Sequence, residues 1–253
     1  MSNTKEYISL DWEIDEVKLY RGDDYVVNEN ITIHQPKVGE IIGMGEKEYY
    51  GMLSSFTAIP SDLKAQLWEK KINWEEISDF DLFCMLVRSV TPDQSSILFG
   101  ADIDFTAFNP YINPQNNMII LRNDSGITID VNIYNGIAQY LRKMHGIVPK
   151  VEKAANKTTW AVLIREAKMN LALAKKKKYK SMMQPMLSSM VNSPGYKYNL
   201  AQTMEIGIVE FMDSVKRIQT INYARDLTLG MYMGNIDSSK IDKKQLNWLR
   251  ELN

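Results

Sequence analysis

A chain of 253 residues, 45 % hydrophobic and 24 % charged, carries enough apolar material for one large domain or two small ones, and too much for a disordered polymer. Its apolar runs are a few residues long, far short of the ~20 needed to span a bilayer. The opening MSNTKEYISLDWEIDEVK lacks the basic-then-apolar pattern of an export signal, so a cytoplasmic protein with no membrane partner is expected.

The net charge of −1 conceals a division: residues 1–104 hold 20 acidic against nine basic side chains, and residues 105–253 hold 11 against 21. Opposite halves of this kind suit head-to-tail self-association, a basic partner or a phosphate-bearing one, and equally two solvated faces of unequal sign.

Along the chain, VKLYR, YVV and ITIHQ are short β-prone runs separated by GDD and NEN, which predicts a small N-terminal antiparallel meander closed by Pro36. KVGEIIGMGEKEYYGMLSSF then reads as a helix weakened by its glycines. Ser61 before DLKAQLWEKK, and Ser78 with Asp81 before DFDLFCMLVRSV, open two further helices. After Thr91-Pro92 the pattern loosens through three prolines. MIILR and ITID around NDSG predict a hairpin near 117–130. Asp130 caps VNIYNGIAQYLRKMHG, which Gly146 ends.

The remainder reads as helical. Asn156 caps a long helix with an apolar stripe at Trp160, Leu163, Ile164, Ala167 and Leu171, and Ser181 with Gln184 forms a capping box for MMQPMLSSMV. Met204, Ile208, Phe211, Met212, Val215 and Ile218 make the most regular stripe and need a partner surface. Asp242 and Gln245 open a short C-terminal helix.

Reactive constellations are scarce. With only His34, His145 and Cys84, no zinc set or nucleophile–base pair assembles. Cys84, in an apolar helical neighbourhood, reads as an inert core thiol, and His145 as a charge at a helix C-terminus. GEIIGMGEK lacks the spacing of a phosphate loop, and Asp102 with Asp104 or Glu75 with Glu76 read as surface or capping acids. No catalytic residue, metal or cofactor is expected.

Two features remain. Lys175, Lys176, Lys177, Lys178 and Lys180 form a basic patch at the end of a helix, where the macrodipole welcomes positive charge without any ligand. Residues 137–180 carry 12 Lys and Arg against two acids, a density that could hold phosphate, although stacking aromatics are sparse. The other feature is methionine, at Met182, Met183, Met186 and Met190 in one short helix, which can be core filling or an adaptable partner groove.

Taken together, KVGEIIGMGEKEYYGMLSSFTAIPSDLKAQLWEKKINWEEISDFDLF, YLRKMHG, FMDSVKRIQ and GMYMGNIDSSKIDKKQLNWLREL resemble virion-structure-cluster proteins of phages and prophages of low-GC Gram-positive bacteria. Within that cluster the chain is similar to tail assembly chaperones. The resemblance implies a non-enzymatic protein of the host cytoplasm that holds the long, helical, partly apolar tape-measure protein during tail morphogenesis. It carries over no catalytic positions.

The expectation is therefore an α+β, mainly helical protein. An acidic, β-containing part over 1–130 and a basic, helical part over 131–253 should form one integrated unit. Met182, Met183, Met186, Met190, Met204, Phe211 and Met212 are the candidate partner-binding residues, for a tape-measure or other tail protein, with self-association as a further possibility. Two alternatives stay open: a structural component of the tail or connector, found in the virion, and a nucleic-acid-binding phage protein using 137–180.

Overall fold

The computed structural model describes residues 12–114 and 116–252; the export-signal reading falls largely on residues 1–11, outside them. The α+β, mainly helical class holds, with two small antiparallel sheets among many helices. The first of the expected strands is instead helix α1 (Glu16–Arg21): Asp15 accepts from the backbone N–H of Val17 and Lys18, and Gly22 closes the last turn. The meander is thus a two-stranded hairpin, β1 (Tyr25–Asn28) and β2 (Ile31–Ile33).

The glycine-rich segment forms two helices, α2 (Val38–Met44) and α3 (Glu46–Thr57). Gly45, at φ +99°, breaks them, a backbone conformation that a side chain would strain. Ser61 does not cap; it lies buried in a 3₁₀ turn ahead of α4 (Lys64–Glu69), and its Oγ accepts from Glu152 N at 3.0 Å. Ser78 and Asp81 cap α5 (Asp79–Leu86) reciprocally. The segment after Thr91 is helical rather than loose: Pro92 starts α6 (Pro92–Phe99), and Gln94 Oε1 accepts from Thr91 N.

The expected hairpin is β4 (Ile119–Arg122) with β5 (Thr128–Ile129), joined on the open side of β4 by β3 (Asn109–Ile112). Pro110 sits on that outer strand, where a missing N–H costs least.

Helix α7 (Val131–His145) runs through the middle of the molecule, capped by Asp130 and ended by Gly146. Its Tyr134, Ile137, Tyr140, Leu141 and Met144 are buried. Around it pack the rings of Phe56, Phe80, Phe83, Phe99 and Phe105, and Tyr140 stacks on Tyr25 at 4.0 Å. This core draws on both charge halves, from Leu19 to Phe211.

Helix α8 (Lys157–Lys176) is capped by Asn156 but rests lightly. Of its stripe only Ile164 is fully buried, in a small satellite cluster with Leu67, Trp74 and Leu82. Three more helices follow: α9 (Met183–Val191), α10 (Leu200–Glu205) and α11 (Ile208–Tyr232).

The long apolar stripe is therefore not one helix. At Ile206 and Gly207 the chain extends and pairs with the segment before α2: Val38 N donates to Ile206 O and Ile208 N to Pro36 O, both at 3.0 Å. Gln35 reinforces the junction, donating to Leu19 O at 2.7 Å and accepting from Val209 N at 3.2 Å.

Beyond α11 the chain reverses, packs Ile236 on Gly230, and forms only the one-turn α12 (Lys243–Leu246) behind Asp242. Arg217 Nη1 ties down the last stretch by donating to the carbonyls of Trp248 (2.7 Å) and Arg250 (2.9 Å).

Candidate functional site

Helices α2, α9 and α10 enclose an apolar groove of about 540 Å³. Its floor is Met183 and Leu187, and its walls include Ile42, Val191, Leu200 and Met204. Ile42 is 40 % exposed and Leu200 52 %, and neighbouring Met182 is 58 % exposed, so large side chains sit in solvent along its edge.

Each wall has a local cause. Gly39 on α2 lets α10 come close: a Cβ there would lie 2.9 Å from Met204 O and 3.2 Å from Met204 Cβ. Asn199 starts α10 by accepting from Gln202 N, while Gln202 accepts from Asn199 N, and Leu200 follows directly.

The end of the groove is built by Glu46, the first residue of α3. Its carboxylate accepts from Ser181 Oγ (2.5 Å), Met182 N (2.7 Å) and Met183 N (3.2 Å). The Ser181 half of the expected capping box is present, with its Oγ accepting from Gln184 N at 2.8 Å. Glu46 brings the negative charge that the free N–H groups of α9 call for. Burial pushes the Glu46 carboxyl up, and the donors that face it, Ser181 and the N–H groups of Met182 and Met183 first among them, outweigh it and hold the group below its ordinary value.

The structure divides the methionine set. Met183 and Met190 are buried, as is Phe211, so their side chains belong to the core. Met186, Met204 and Met212 are half-buried against it, and Met182 stands free. Met183 and Met204 line the groove, whereas Phe211 and Met212 lie on α11 outside it. Sequence reasoning missed Ile42, Leu187, Val191 and Leu200 as lining residues. The capping pair Asn199 and Gln202 was the available signal for a helix starting at Leu200; nothing local pointed to Glu46.

The basic patch straddles a helix end. Lys175 and Lys176 complete α8, while Lys177, Lys178 and Lys180 follow it, so the dipole accounts for only part of the tract. All five are exposed, and among the described residues none forms a recorded ion pair. Ser181, which lines the groove and donates to Glu46, follows directly on Lys180 and brings the second half of the tract to the mouth of the groove.

The remaining candidates have structural roles. His145 is not a helix-end charge: burial pushes it down to about 4, so the ring is neutral at pH 7, hydrogen-bonded to the Tyr49 hydroxyl at 2.9 Å. Burial pushes the Cys84 thiol up to about 12. Glu75 accepts from Ala154 N, Glu76 from Asn73 Nδ2, and Asp104 from Thr106, so each ties a turn or loop. His34 pairs with Asp24 at 2.8 Å on the surface.

A second apolar groove lies at the far end of α11, between Ile221, Leu229, Tyr232, Leu246 and Trp248. Among the described residues no helix is long and apolar enough to cross a membrane. No family model, curated protein or solved structure matches this chain.

Proposed function

We propose that this protein is a non-enzymatic tail assembly chaperone of a phage or prophage, which holds a helical stretch of the tape-measure protein in the host cytoplasm until the tail tube covers it. The observation that carries this reading is the apolar groove between α2, α9 and α10, open to solvent and edged by Ile42 and Leu200. A single amphipathic helix is the natural occupant of a helix-walled apolar groove, with anchors at helical spacing. Methionines in the floor and wall, Met183 and Met204, let such a groove accept several client sequences, because thioether side chains repack at low cost.

The test is a pulldown of tagged protein from cells expressing the phage structural genes, with nuclease treatment and a high-salt wash. Recovery of the tape-measure protein by the wild type, and its loss in an Ile42→Glu, Leu200→Glu double variant, is the expected result. Both sites are exposed, so the variant keeps its fold. Equal recovery by variant and wild type would refute the groove as the client site. Stoichiometric presence in purified virions would favour a tail component instead.

A further inference from the structure

The charge around the groove is uneven. On the α10 side Lys37 and Glu205 neutralise each other at 2.9 Å. At the α9 end Glu46 is occupied by Ser181 and the N–H groups of Met182 and Met183. What remains is the second half of the lysine tract, exposed and led to the mouth by Ser181, which lines the groove and follows directly on Lys180.

We infer that the groove takes an amphipathic helix that carries acidic side chains beside its apolar face, with those acids meeting Lys177, Lys178 and Lys180, the part of the tract that follows α8 and leads into Ser181. The inference rests on the reading of this groove as the client site and adds the chemistry of the client. Apolar burial supplies the affinity, while the lysines steer the approach and set which end of the helix enters beside α9. Clustered like charges repel one another, so an acidic partner gains from relieving that repulsion as well as from direct pairing. Nucleic acid fits the same place less well. Phosphate answers the lysines but leaves the exposed Ile42 and Leu200 uncovered, and Tyr179 is the one aromatic ring within the tract, where base stacking calls for several.

The experiment uses the full chain and three labelled synthetic peptides. They share one Leu/Met helical face and carry Glu, Gln or Lys along its border, with fluorescence anisotropy as the readout. At low salt the Glu peptide should bind about tenfold more tightly than the Gln peptide, the size expected of two or three exposed ion pairs. That advantage should vanish at high salt and in a variant with all five tract lysines changed to Gln, and Leu200→Glu should weaken all three peptides.

Equal binding of Glu and Gln peptides, both weakened by Leu200→Glu, would overturn the acidic-client inference and leave the groove reading standing. Peptide binding indifferent to Leu200→Glu would overturn both. Single-stranded or duplex DNA that binds more tightly than the Glu peptide and displaces it would overturn the inference in favour of nucleic acid. Sedimentation that rises with concentration, abolished by Leu200→Glu, would assign the groove to a second copy instead.

Discussion

Met182 N donates to Glu46 Oε1 at 2.7 Å across 136 residues of sequence, so the first residue of one helix closes the start of another. Replacing Glu46 with Gln keeps the shape and removes the charge. The expected cost is about 1 kcal/mol in urea-induced unfolding, typical of a cap reinforced by the helix dipole. Because the folded carboxyl lies below its ordinary value of 4.5, its contribution is present above that value and is lost as pH falls through the folded one. The lead of the wild type over Glu46→Gln should therefore shrink in acid, and a lead unchanged down to about pH 2 would contradict the assignment.

Gly39→Ala should act on both the fold and the groove. The added methyl group meets the backbone carbonyl of Met204, which has no rotamer by which to retreat, so α10 must shift. A loss of about 1–3 kcal/mol is expected from such overpacking. Peptide affinity should fall with it, whereas Gly43→Ala, with open space at its Cβ, should leave both measurements unchanged or slightly improved.

His145 gives the molecule an acid-sensitive point. Burial lowers its pKa to about 4, while in the unfolded chain the group titrates near its ordinary value of 6.5. Between those values the unfolded state binds the extra proton, so stability falls as pH drops from 6.5 towards 4. Thermal midpoints recorded across that range should decline for the wild type and stay flatter for His145→Gln. An imidazole resonance that titrates in the folded protein near its ordinary value would count against the buried, neutral ring beside Tyr49.

Arg217→Ala should release the C-terminal stretch. Its guanidinium bonds two carbonyls there, and α12 contributes no buried residue. Amide exchange over 243–252 is expected to accelerate while global unfolding moves by less than about 1 kcal/mol, because exposed connections open locally. Unaltered exchange in that segment would mean that the packing of Ile236 on Gly230 suffices to hold it.

Local chemistry was readable in the sequence where it decides structure. Ser78 with Asp81, Asp130, Asn156 and the hairpin flanking NDSG all behave as their residue types require. The same rules would have found α1 and α6, since Asp15 and Gly22 bracket one and Thr91, Pro92 and Gln94 open the other. There the β-prone letters of VKLYR and the density of prolines masked the caps. The groove was half legible. Helical spacing marked the methionines as one set but could not tell core from rim, because that depends on which face α3 and α7 cover. The junction of residues 36–38 with 206–208 joins segments far apart in the chain, and no local pattern announces it.

That junction and the Glu46 cap impose an order of events during synthesis. α2 and α3 emerge from the ribosome early, yet the strand-like partner of Val38 arrives only with Ile206, and Glu46 has nothing to cap until Ser181 and Met182 follow. A nascent chain truncated before residue 183 therefore has the α2 wall of the groove without α9 and α10, and one truncated before residue 206 has all three without the pairing that joins them. The groove is complete only after most of the chain has been translated, so on the proposed reading a half-made protein has no place to hold its client.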